Sequence, residues 1–386
     1  MGFVSYDFPT TLSLQNCSIL MSKFIRFFIF SLFAAAVVIY VASCNLSGDK
    51  KVKLNVSDKP FEFLSQYNFF KGTLNQLLPN ERIMPYDLIS PLFSDYAKKA
   101  RFIYLPDGKT IDYNEDKVLQ LPVGACLIKN FYYPADFRQP EGSRRIIETR
   151  LLVHRNEGWD AVEYIWNDEQ TEAHLEVAGD LKRVSWIHDD GTKREIDYII
   201  PNKNQCKSCH WINGAITPIG PKVRNMNKDC AYTDGKHNQL KELAAVGFLQ
   251  GVPADVSKCP RVANYLDTTA DLNDRARAYL DVNCGHCHNP GGPAYTSGLY
   301  LNYENKDREH LGFCKTAVSA GRGTGNFAVD ILPGDPAHSI MPFRMASTDP
   351  GIKMPELGRT TVHTEGVELI SKWIAMQTGT CTTPAN

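Results

Sequence analysis

Two stretches of this chain carry one chemistry-bearing pattern. "NQCKSCHW" (204–211) and "DVNCGHCHNP" (281–290) each hold two cysteines separated by two residues, with histidine directly after the second. Two thiols on one turn, with imidazole next in line, suit covalent attachment of a porphyrin. The sulfurs add to the two vinyl groups at the ring edge, and the histidine sits under the iron. On this reading Cys206, Cys209, Cys284 and Cys287 attach two c-type haems, and His210 and His288 are the proximal ligands. Four thiolates could instead hold a tetrahedral zinc. That leaves two identically placed histidines without a role. A thiol redox pair would sit in a βαβ context, which the surrounding sequence lacks.

A haem iron usually takes a second axial ligand, and a methionine thioether raises its potential. Downstream of His288 stand Met341, Met345, Met354 and Met376. Met376 falls in a helical stretch, while Met354 lies in the loop "IKMPELGR" (352–359), where Pro355 fixes the backbone after it. Met354 is the expected distal ligand of the second haem. For the first haem the sequence leaves several options. Met226 is the one methionine between the motifs. His237, a side chain from elsewhere such as Met345, or an empty sixth position are the others.

The elements that position these residues differ between the two halves. From about 60 to 200 the chain reads as β structure. "ARFIYL" (100–105), "ACLIKNFYY" (125–133), "IIETRLLV" (146–153), "AVEYIW" (161–166), "AHLEV" (173–177), "KRVSWI" (182–187) and "REIDYII" (194–200) are rich in β-branched and aromatic residues. Beyond Pro201 the spacing turns helical at 238–249, 274–283 and 364–377. In the last of these Thr364 is the expected cap, and Val367, Ile370, Trp373 and Ile374 share one face. Long Gly-, Pro- and Asn-rich loops separate these segments. So little apolar mass per residue calls for something else at the centre, such as a large flat cofactor.

With 386 residues the chain is long enough for two or three domains, and its formal charge of −1 argues against a nucleic-acid partner. Residues 21–44, "MSKFIRFFIFSLFAAAVVIYVASC", have a short positive region, an apolar run and a terminal cysteine. This is an export pattern, with Met21 the expected translation start. It resembles a bacterial lipoprotein signal, which implies lipidation at Cys44 and a polar tether after it. Of the remaining cysteines, Cys230–Cys259 and Cys314–Cys381 are plausible pairs in an exported chain, and Cys126 reads as a buried free thiol. His286, inside the second motif, is expected to face solvent.

Residues 271–378 resemble a class I c-type cytochrome: "DRARAYLDVNCGHCH" is a helix running into the attachment site, "MPELG" a loop bearing methionine, and "GVELISKWIAMQ" a closing helix. In that family a proline carbonyl holds the proximal imidazole, which implies such a role for Pro221 toward His210. Residues from about 60 to 380 resemble a bacterial family of exported two-haem c-type cytochromes with a β-rich N-terminal domain. The resemblance implies a multidomain α+β chain: signal region 1–43, lipidated tether 44–60, an antiparallel β-sandwich or barrel-like domain 61–200, a first haem segment 201–270 and a mainly α cytochrome c-like domain 271–386. The expected activity is single-electron transfer between periplasmic or membrane redox partners. The lipid anchor holds the protein at the membrane, and the β domain supplies docking or rigidity. The rival is a two-haem peroxidase or oxidase with the first haem as the open site.

Overall fold

The strand segments expected between residues 98 and 200 all form. A computed structural model describes residues 1–2, 50–57, 59–232 and 235–381. The signal region, Cys44 and most of the tether therefore lie outside the described residues. β1 (Ile83–Tyr86), β2 (Lys98–Tyr104), β3 (Cys126–Pro134), β4 (Arg144–Arg155), β5 (Gly158–Trp166) and β6 (Ala173–Glu176) build one antiparallel sheet in chain order. β7 (Asp180–Ile187) and β8 (Lys193–Ile200) form a separate hairpin.

Alternating residues on these strands serve opposite faces. Phe102, Ile128, Leu151, Val162 and Tyr164 pack against Leu64, Tyr67 and Phe69 from the segment before the sheet. On the other face, Phe131, Tyr133 and Ile165 meet Val184, Trp186 and Tyr198 of the hairpin. The sheet is thus an open meander covered by a hairpin and irregular segments, not a two-sheet sandwich or a closed barrel. Consecutive strands joined as hairpins give this order directly.

Beyond Pro201 the expectation of mainly α cytochrome c-like haem domains is overturned. The helices are α1 (Lys203–His210), α2 (Val223–Met226), α3 (Gln239–Ala245), α4 (Leu272–Asn283), α5 (Ile340–Ala346) and α6 (Thr364–Ala375). None exceeds 12 residues. Loops and short strand pairs such as Asp229–Tyr232 with Gly235–Asn238 occupy the rest. The physical reason lies in the Gly-, Pro- and Asn-rich connections, which stop each helix early and favour turns.

Residues 201–270 are also not set apart from the sheet. Leu249–Gln250 pairs in parallel with Ile111–Asp112. Val223, Met226, Leu240 and Phe248 share one core with Ile103, Leu105 and Leu119. The chain from Val52 onward is accordingly one unit. α4 and α6 cross where Gly366 meets Tyr279; a Cβ at Gly366 would lie 2.2 Å from the Tyr279 hydroxyl oxygen. His363, rather than Thr364, precedes α6, and it makes no side-chain cap. Among the described residues no helix is long and apolar enough to cross a membrane.

Candidate functional site

Asn202 and Gln205 set the first motif. The Asn202 carboxamide accepts from the Gln205 amide, and the Gln205 side chain accepts from the Asn202 amide. This reciprocal cap starts α1, and the helical period then places Cys206, Cys209 and His210 along one side. The second motif follows α4, whose first turn is capped by Asp271.

The first motif and one residue of the second, His286, border a single open-mouthed cavity. Cys206, Cys209 and His210 line it, as do His286 from the second motif and Met354 from its loop. The sulfurs of Cys209 and Cys287 and a ring nitrogen of His286 all lie within 4.8 Å of one another. Cys206 and Cys284 stay outside that cluster, so the four thiols do not converge as a tetrahedral zinc site requires.

Each motif histidine has its ring tautomer set by a neighbour. His210 Nδ1 lies 2.9 Å from the Thr217 carbonyl oxygen. A carbonyl only accepts, so Nδ1 carries the proton and Nε2 keeps its lone pair. Thr217, not Pro221, does this work; the Pro221 carbonyl instead accepts from the Leu119 amide at 2.8 Å. His288 Nδ1 lies 3.2 Å from the Ser297 hydroxyl oxygen, which donates its own proton to Ala294. That again makes Nδ1 the donor. Burial pulls both imidazoles down to about 4, so both are neutral at pH 7. A hydrogen bond from Cys287, with His286 and His210 beside it, draws the Cys209 thiol down to about 4. Burial lifts Cys206 to about 11 and Cys284 to about 12.

Met354 is held by its backbone. Its amide donates to the Arg344 carbonyl at 3.1 Å, and its carbonyl accepts from Arg359 Nη2 at 2.9 Å. Arg359, itself buried, also binds the Ser347 and Thr361 carbonyls. Asp95 anchors the same loop through the Thr360 and Thr361 amides at 2.8 Å.

Other expected ligands fall elsewhere. Met226 is fully buried in the core shared by α2, α3 and the sheet, away from the cavity. His237 sits exposed on the 229–238 hairpin. His286 does not face solvent: it is 7% exposed, and its Nδ1 has no partner. His363 also lines the cavity, stacked on Phe93 at 4.1 Å and hydrogen-bonded to Tyr279 at 3.1 Å. Cys314 and Cys381 are bonded, Cys230 and Cys259 are not, and Cys126 is a buried free thiol.

Sequence reasoning missed the sheet's contribution. Arg101 pairs with Lys129, Lys129 with Arg150 and Arg150 with Glu163 across four strands, and all four line the cavity. Arg150 is clamped by Glu148 at 2.5 and 3.0 Å, and Tyr198 donates to Glu148 at 2.5 Å. Burial, then the Glu148 charge, pushes Glu163 up to about 10. It therefore holds a proton beside an ionised Glu148. Burial and the Arg101 and Arg150 charges draw Lys129 down to about 7. The signal available was charge inside otherwise apolar strands: Lys129 in "LIKNF", Glu148 and Arg150 in "ETRLL" and Glu163 in "AVEYI".

Comparison of the chain with known family models, curated proteins and solved structures returns no match.

Proposed function

We propose that this chain is an exported, lipid-anchored two-haem c-type cytochrome that carries single electrons between redox proteins. The observation that carries the proposal is the approach of the two Cys-x-x-Cys-His sets to each other. The second cysteine of each, Cys209 and Cys287, lies beside the other and beside His286. Cys206, Cys209, Cys284 and Cys287 would hold the two groups; His210, His288 and Met354 would ligate iron. The haems supply reversible one-electron chemistry when bound. The protein orients the ligands, buries them and excludes bulk water. The Cys314–Cys381 bond fits an oxidising compartment, and the export reading itself rests on residues 21–44.

The test is intact mass and optical spectroscopy of protein made in a host with working cytochrome maturation. Two added porphyrins and reversible reduction are expected. A colourless chain at polypeptide mass refutes the proposal. A second reading, a two-haem peroxidase, gains support from the Glu148–Glu163 acid pair close to Cys206. It requires a high-spin, peroxide-reactive first haem, which the same spectra detect.

A further inference from the structure

The charged row on the sheet has an unfavourable order unless something anionic faces it. Like charges directly opposite on neighbouring strands repel. Here Arg101, Lys129 and Arg150 stand side by side in two successive cross-strand pairs. Two of them have protein carboxylates: Asp87 lies 3.2 Å from Arg101, and Glu148 lies 2.5 Å from Arg150. Lys129, in the middle, has none within ion-pair distance among the described residues. Its ammonium rests 4.6 Å over the Phe131 ring. Leaving a cation in this position without an anion is costly, and the row opens onto the cavity rather than onto solvent.

The row also belongs to the first motif. Arg101, Lys129 and Arg150 line the same cavity as Cys206, Cys209 and His210. A haem attached there brings two propionate carboxylates, the chemical class that Lys129 lacks.

We propose that Arg101, Lys129 and Arg150 form a carboxylate-binding site that receives the propionates of the haem attached at Cys206 and Cys209. The inference rests on the two-haem reading. Lys129 is the positioning residue whose charge is not already matched by the protein. Its cation opposes the extra positive charge of ferric iron, so its loss favours the oxidised state.

The experiment is a spectroscopic redox titration of the full matured chain carrying Lys129→Met, with Lys129→Arg as the charge-keeping control. Mass spectrometry first counts the porphyrins. With two present, Lys129→Met lowers one midpoint potential by about 59 mV, a tenfold change in the reduced-to-oxidised ratio. The other potential stays, and Lys129→Arg stays near the parent. Lys129→Gln reads the same shift if the methionine variant does not mature. Two porphyrins with both potentials unmoved in Lys129→Met or Lys129→Gln overturn the carboxylate site and leave the two-haem reading standing. A parent with fewer than two porphyrins fails that reading, and this site with it, before any titration is run.

Discussion

Replacing Asp281 with asparagine tests how the two motif segments are tied together. Asp281 lies three residues before Cys284 and is 6% exposed. Its carboxylate accepts from Arg224 Nη2 at 3.1 and 3.4 Å, from Lys222 Nζ at 3.4 Å and from the Tyr303 amide at 3.1 Å. Arg224 and Lys222 follow the first motif, so this cluster joins the segment after the first motif to the helix before the second. Arg224 is 5% exposed in its side chain; its other carboxylate partner, Glu304 at 2.6 Å, is half in solvent. Removing one member of a buried pair costs about 3–5 kcal/mol. Glu304 remains, so the lower end, about 3 kcal/mol, is expected for Asp281→Asn in urea unfolding of the mature protein. A double-mutant cycle with Arg224→Met isolates the coupling. Burial alone would raise the Asp281 carboxyl, but Lys222 and Arg224 outweigh it and hold it below 3.8. Its stabilisation is therefore complete above pH 3.8 and disappears as pH falls through the lower folded value. The gap between parent and variant should persist at pH 5 and close only in stronger acid. A loss below about 1 kcal/mol at pH 7, or no coupling in the cycle, refutes the view that this pair fastens the segments.

Three further outcomes are expected. Glu163→Gln should become progressively more stable relative to the parent above pH 4.5, by about 1.4 kcal/mol per pH unit. The folded parent keeps a proton that its unfolded chain releases; a flat difference from pH 5 to 7 in denaturant titrations contradicts this. Gly366→Ala should cost about 1–3 kcal/mol by overpacking, because its Cβ meets the Tyr279 hydroxyl. Tyr279→Phe should recover part of that loss in thermal unfolding. Cys314→Ser with Cys381→Ser opens a link spanning 67 residues and should lower stability by about 4 kcal/mol on loop entropy; equal midpoints with and without the bond count against it.

What could be read from the sequence divides along a physical line. The strands were legible because β-branched and aromatic runs broken by Asp-Gly and Glu-Gly turns are local signals. Cys126 was legible as buried for the same reason. The two Cys-x-x-Cys-His motifs were legible because they are local patterns of close sequence spacing. Pairings across the chain were not. Met226 looked available because it follows His210 by sixteen positions, yet α2 turns it into the core with Leu240 and Phe248. His286 was taken for a solvent-facing spacer, and only the approach of α1 brings Cys209 to it. The three expected helical stretches form close to their bounds as α3, α4 and α6; the mainly α class was overread because the Gly-, Pro- and Asn-rich chain between them stays in loops and short strand pairs.

The sheet's role follows from the same distinction. A β domain that merely docked partners would keep its charged residues on the outside. This one places Lys129, Arg150 and Glu163 on the cavity wall and shares the core of the first segment through Ile103 and Leu119. Each charge alone reads as an interruption in an apolar strand. Only the register aligns Arg101, Lys129, Arg150 and Glu163 across four strands. Burying such a row is costly and contributes nothing to docking. The wall is therefore part of the site's electrostatics. Any account of the first motif that omits the sheet leaves out the charges facing it.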